Sequence, residues 1–242
     1  MRQSNIPMQI AAITTPKLPI PSIRFIRIYT EFLRLKLRLL PMAVNGYFCS
    51  MSVKKIIDNL QKNIVLSKAE QDLLTEKFVF KKIRKKQFIL HEGMLAKDVA
   101  FVVKGCLRSY SIDQNGFEHI LQFAPADWWI TDMYSFISQK ESTLNIDAIL
   151  DTEAYLLSRK NLLALFDEIP KLERHFRILT ENSLVGSQKR LIETLSLPAK
   201  ERYRNFCNTY PTIAHIIPQK SIASYIGVTP EFLSKLRGNT GK

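Results

Sequence analysis

At 242 residues, 46% of them hydrophobic and 24% charged, the chain is long enough to build a packed core in one large or two modest domains. Its three cysteines, Cys49, Cys106 and Cys207, are far apart and odd in number. That excludes a disulfide framework and the spacings of zinc or iron–sulfur ligands, and it fits a reducing cytoplasm. The net charge of +13 is unevenly spread, with +6 in residues 1–50, zero in 51–170 and +7 in 171–242. A neutral middle followed by a basic final third suits a sensor joined to a module that binds a polyanion.

Residues 1–50 stand apart. Pro7, Pro16, Pro19 and Pro21 interrupt the first half, and apolar and basic residues then alternate from Ile23 to Leu40. Charges at every second or third position exclude a membrane-spanning helix and a secretory signal. A membrane-surface helix, a transit-like segment or a functional basic arm remain alternatives, and no stable membrane association is expected. Ordinary globular composition begins at Met51. We therefore read 1–50 as an atypical basic extension, consistent with upstream sequence from a misassigned start.

Ile56, Ile57, Leu60 and Ile64 predict a helix. Ser67 with Glu70 three residues on predicts a capping box opening a second helix through Leu73, Leu74 and Phe78. From about Phe80 to Leu157 the period shortens. Strands are expected at 87–91, 99–104, 107–112, 118–124, 145–148 and 153–158, with turn signals such as Lys104-Gly105 and Asp113-Gln114-Asn115-Gly116 between them. Many short strands imply a closed or sandwiched antiparallel fold. A short helix over 159–166 and a long one from Pro170 to about Leu195 follow.

On the long helix Leu172, Phe176, Leu179, Ser183 and Gly186 recur at 4-3-4-3 spacing. That is the seam of a helix pair and predicts a homodimer, the alternative being a helix packed on its own domain. After a helix over 199–210, Pro218 opens a helix with Ile222, Ala223 and Ile226 on one face. Gly227 ends that helix, where a positive φ is expected. Thr229 and Pro230 begin the next as N-cap and first position. It is expected to turn Phe232, Leu233 and Leu236 inward and leave Glu231, Ser234, Lys235 and Arg237 outward. The pattern is that of a helix-turn-helix whose second helix enters the DNA major groove, against the plainer reading of an αα-hairpin in a core.

A β-roll, a seam helix and a terminal helix-turn-helix in that order resemble the CRP/FNR family of bacterial transcription regulators. The resemblance covers about residues 52–242 and is strongest to the branch common in Bacteroidetes. It rests on Trp128-Trp129-Ile130-Thr131-Asp132, Thr143-Leu144-Asn145-Ile146, the 196–203 stretch and the 222–234 stretch. It implies an α+β protein: a cyclic-nucleotide-binding-like, jelly-roll-like sensor over 51–169, a dimerisation helix over 170–197 and an all-α DNA-binding domain over 198–242. Double-stranded DNA and a second copy of the chain are the implied partners, with RNA polymerase a further candidate.

In that family a Glu of the second helix takes a cytosine amino group, and Glu231 falls on its position. Lys235 and Pro230 stand where many members carry Arg; Lys cannot make the same bidentate contact, so a different target sequence is expected. Gln219, Lys220, Ser221 and Thr229 fall at helix starts suited to phosphate contacts. In the sensor, Thr131-Asp132 align with the ribose-holding Gly-Glu of cyclic-nucleotide binders, and Ser142-Thr143 with their phosphate-holding Arg-Ser/Thr. Without the Arg no cyclic AMP or cyclic GMP binding is expected. Trp128 and Trp129 are candidates to line a different pocket, or else core.

His91, Glu92 and His119 lack the tight His-x-His cluster of a metal-dependent cupin, and no catalytic triad, Gly-rich loop or carboxylate pair is present. The chain reads as a non-enzyme without a cofactor. The rival reading is a cupin-like β-roll that binds a small molecule and has no DNA role.

Overall fold

The computed structural model describes residues 53–238; the basic extension over 1–50 and the last four residues lie outside the described part. Helix α1 (53–60) buries Val53, Ile56, Ile57 and Leu60. Helix α2 (Lys68–Lys77) opens with the expected capping box, in which the Ser67 amide donates to Glu70 Oε2 at 2.7 Å and the Glu70 amide donates to Ser67 Oγ at 3.3 Å. Glu70 also takes Lys171 Nζ at 2.8 Å. The bonds from Lys171 and then Ser67 hold its carboxyl down to about 2.

Eight strands then form two antiparallel sheets. One has the order β1 (Val79–Ile83), β8 (Thr152–Ser158), β3 (Asp98–Lys104) and β6 (Trp129–Ile130). The other runs β2 (Phe88–Leu90), β7 (Asn145–Ala148), β4 (Cys106–Ile112) and β5 (Glu118–Pro125). Gly105 makes the turn between β3 and β4 at φ +87°, with Asp151 O only 2.2 Å from where a Cβ would stand, so no other residue fits without moving the backbone. The inner faces, with Phe101, Val102, Leu107, Ile146 and Leu157, pack with α1, α2 and the helix α4 (Arg159–Glu168) into one core.

The expected strands are all present, within one or two residues at their ends. Sequence periodicity missed β1, whose Val-Phe-Lys-Lys-Ile has no alternation, and the two-residue β6. It also missed helix α3 (Met133–Ser138), a short turn of helix capped by Asp132.

Along helix α5 (Lys171–Ser196) the five residues of the expected seam differ in their surroundings. Leu172 is fully buried in the first core, and Phe176 is wedged between Trp129 and Phe166 at 5.3 and 5.6 Å. Leu179 is half-buried, and Ser183 and Gly186 are exposed. Every residue from Thr180 to Lys189 is exposed, and Arg190 then returns to the roll at strand β5. The first half of the repeat packs on its own domain. The apolar residues left in solvent are Leu184, Val185, Leu191, Ile192 and Leu195, on roughly the opposite side of the helix at ~100° per residue.

Helices α6 (Ala199–Thr209), α7 (Gln219–Ile226) and α8 (Pro230–Gly238) complete the described chain. They build a second core on the outer face of the β5-containing sheet, joining Phe206, Tyr210, Ile213, Ile222 and Leu233 to Cys106, Tyr110, Ile120 and Phe123. Cys106 and Cys207 are free thiols, and burial pushes the Cys106 thiol up to about 12, so it stays protonated. Among the described residues no helix is long and apolar enough to cross a membrane.

Candidate nucleic-acid interface

The local chemistry of 218–237 explains its geometry. Pro218, with φ −59° and ψ 139°, is the N-cap of α7 rather than its first residue. Gly227 closes the helix in the left-handed region at φ 71°, ψ 47°, and the Val228 amide reaches back to Ala223 O at 3.0 Å, as in a Schellman ending. Thr229 then caps α8: its Oγ1 accepts from the Phe232 amide at 3.2 Å and its carbonyl from the Leu233 amide at 3.1 Å. Ile222, Ala223, Ile226 and Leu233 are buried where the two helices meet, so the small Ala223 permits the close crossing.

This seam fixes which side chains face water. Gln219, Lys220, Thr229, Pro230, Glu231, Ser234 and Lys235 are exposed, and Arg237 is half-buried. Two expectations need correction. Ser221 is buried at 6% exposure, because it lies on the same face of α7 as Ile222, and it is not available to a phosphate. Phe232 does not turn inward; α8 rotates so that Leu233 fills the crossing, leaving Phe232 at 51% exposure beside Glu231.

The helix-turn-helix is seated on the edge strand β5. A strand edge presents unpaired N–H and C=O groups. Here Ser224 Oγ accepts from the Ile120 amide at 3.0 Å and donates to Glu118 O, while Arg190 Nη1 donates to the carbonyls of Ile120, at 3.2 Å, and Leu121. The Arg190 guanidinium also lies over the Tyr225 ring, 4.6 Å from its centroid. Behind this edge Phe123 meets Phe206, Tyr210 and Tyr225 at 6.0, 5.7 and 5.5 Å, and Trp128 meets Tyr210 at 5.3 Å.

On the same sheet Arg108 bonds both oxygens of Asp147, at 2.7 and 3.0 Å, and Glu118 at 2.7 Å. Burial works against that charge, but the bonds from Asp147 and Glu118 outweigh it and hold the guanidinium above its ordinary pKa.

The residues expected to line an effector pocket make other bonds. Asp132 is buried; its Oδ1 accepts from the amides of Tyr134, at 3.0 Å, and Ser135, at 3.4 Å, and its Oδ2 from Ser142 Oγ at 2.6 Å. Thr131 Oγ1 donates to Asp98 O at 2.9 Å, and Thr143 is exposed. Trp129 packs against Phe101 and Phe176 and donates from Nε1 to Asn59 Oδ1 at 2.9 Å. His91 stacks on Phe88 at 4.0 Å, and His119 Nε2 lies 2.8 Å from Asp113 Oδ2. No three His, Cys, Asp or Glu residues among those described are grouped to hold a metal.

Residues 80–168 match the cyclic nucleotide-binding domain family. Three solved structures share the wider fold. FixK2 from Bradyrhizobium japonicum is 22% identical with a TM-score of 0.59, covering 67% of this chain and 83% of its own. The c-di-GMP responsive global regulator CLP of Xanthomonas campestris is 11% identical with a TM-score of 0.60, covering 72% and 92%. A transcriptional regulator of the crp/fnr family from Eubacterium rectale is 17% identical with a TM-score of 0.57, covering 71% and 82%. No curated protein matches the sequence. The chain thus carries a cyclic nucleotide-binding-type domain, and beyond it the α+β fold of CRP/FNR regulators.

Proposed function

We propose that the chain is a homodimeric DNA-binding transcriptional regulator whose helix α8 reads a roughly palindromic operator, with no cyclic nucleotide as effector. The observation that carries this reading is α8 itself. It is capped by Thr229, anchored by Leu233, and presents Glu231, Ser234 and Lys235 together to solvent. Glu231 can accept from a cytosine amino group, Lys235 can donate to guanine or phosphate, and Gln219 and Lys220 at the start of α7 can meet the backbone. Two such helices would span half-sites about 34 Å apart. The implied site of action is the cytoplasm, and RNA polymerase a further partner.

Selection of duplexes from a random library tests this. The full chain is expected to enrich a palindrome, and Glu231→Ala to blur one base pair in each half-site, a discrimination of about 1–3 kcal/mol. Lys220→Ala is expected to weaken all duplexes about equally and flatten the salt dependence by about one unit of slope per subunit. The rival reading, a small-molecule-binding roll with a packed tail, draws on the seating of α6 and α7 against the sheet. Binding that ignores both sequence and salt, or no binding with or without cell extract, would favour it.

The effector half of the proposal rests on the Asp132–Ser142 bond. A carboxylate 3% exposed that caps α3 and holds Ser142 is not presented to a ribose, and Ser142-Thr143 supply no guanidinium for a cyclic phosphate. Titration calorimetry with cyclic AMP is expected to show no saturable heat at up to millimolar nucleotide; micromolar affinity would overturn this half alone.

A further inference from the structure

We propose that Phe232 reads the C5-methyl group of a thymine in each half-site, an inference that rests on the DNA-binding reading above. Phe232 is among the larger exposed apolar side chains, and it sits on α8 between the exposed Glu231 and Lys235. Its place is fixed, because its amide is held by Thr229 Oγ1 at 3.2 Å and the next residue, Leu233, is fully buried. Phe232 and Lys235 are three residues apart and Glu231 and Lys235 four, so all three lie on neighbouring parts of one surface.

An aromatic ring placed there is stabilised by leaving water, and a charged, hydrated phosphate cannot supply that. In the major groove the apolar feature is the thymine methyl, alongside the amino group that Glu231 would take from cytosine. Consecutive Cα atoms, here those of Glu231 and Phe232, are about 3.8 Å apart against a base-pair rise of ~3.4 Å. The thymine should therefore fall within about two base pairs of the cytosine. Sequence reading hid this role, because Phe232, Leu233 and Leu236 look like one apolar face.

The test uses the full chain and the operator recovered by selection, remade with uracil for thymine at one symmetric pair of positions at a time. Removing one methyl per half-site is expected to cost about fourfold in affinity per methyl, or about fifteenfold for the pair. Phe232→Ala, whose melting should match the parent because the ring is exposed, is expected to bind thymine and uracil operators equally. Equal sensitivity in parent and variant would overturn the proposal by assigning the methyl to another side chain. A parent protein indifferent to every methyl would also overturn it, leave DNA binding intact and point Phe232 toward a protein contact. Failure to enrich any operator would instead sink the DNA-binding reading, and this inference with it.

Discussion

Phe123→Ala is expected to destabilise the protein by about 3–5 kcal/mol and to free α7 from the roll. Phe123 is fully buried at the centre of the second core, touching Phe206, Tyr210 and Tyr225, rings contributed by α6, its C-terminal end and α7. Truncating a buried Phe costs its transfer free energy plus the cavity left behind. It also removes edge and tilted ring contacts of about 0.5–1.5 kcal/mol each. The informative control is Phe101→Ala, since Phe101 is equally buried but lies in the first core with Trp129.

Both variants should lower the denaturation midpoint by similar amounts. Only Phe123→Ala should speed amide exchange at Ile120, whose N–H donates to Ser224 Oγ, because only it loosens the seat of α7 on β5. A loss below about 1 kcal/mol, or unchanged exchange at Ile120, would mean that the polar edge bonds hold the helical domain without the aromatic cluster.

The parts of this molecule that were legible in the sequence are those set by neighbours in the chain. Ser67 with Glu70, Gly227 at positive φ and Thr229 before Pro230 each specify a helix end through bonds made within a few residues, and each is found as read. The strands from 98 to 125 were readable because Gly105 and the Asp113–Gly116 turn mark their ends, with Asp113 Oδ1 accepting from the amides of Asn115 and Phe117.

What stayed hidden depends on distant partners. Trp128 and Trp129 are adjacent, yet Trp128, just before β6, reaches Tyr210 after α6, while Trp129, the first residue of β6, packs on Phe101 within the roll. Asp132 as the N-cap of α3 is a local pattern, an Asp opening a short helix, but the same position also aligns with a ligand-holding residue, and sequence does not separate the two roles. On α5 the Leu172–Gly186 repeat has the period of an interface. Period alone cannot tell a face turned to its own domain from one turned to a partner.

That ambiguity sets the second large effect. Leu191→Glu combined with Ile192→Glu is expected to convert the proposed dimer to monomer and to lower affinity for a palindromic operator by about a hundredfold or more. Leu184, Val185, Leu191, Ile192 and Leu195 are exposed along the second half of α5. Leu184, Gln188, Leu191 and Leu195 follow a 4-3-4 spacing, and Val185, Gln188 and Ile192 the complementary 3-4 spacing. An apolar stripe of that period left in water is what a two-helix seam requires, with Gln188 as the polar position that can fix its register.

Burying two carboxylates in such a seam costs far more than the leucine and isoleucine contacts it replaces. Losing the second subunit removes the effective concentration that makes the second half-site an intramolecular event, worth 10²–10⁴ in affinity. Sedimentation would report the mass, and binding to a palindrome against a single half-site would report the lost avidity. Ser183→Glu, on the Leu172 side of the helix, should leave both unchanged. The reverse result, a monomer from Ser183→Glu and a dimer from the double variant, would return the partner to the Leu172–Gly186 line and leave the exposed stripe to some other contact.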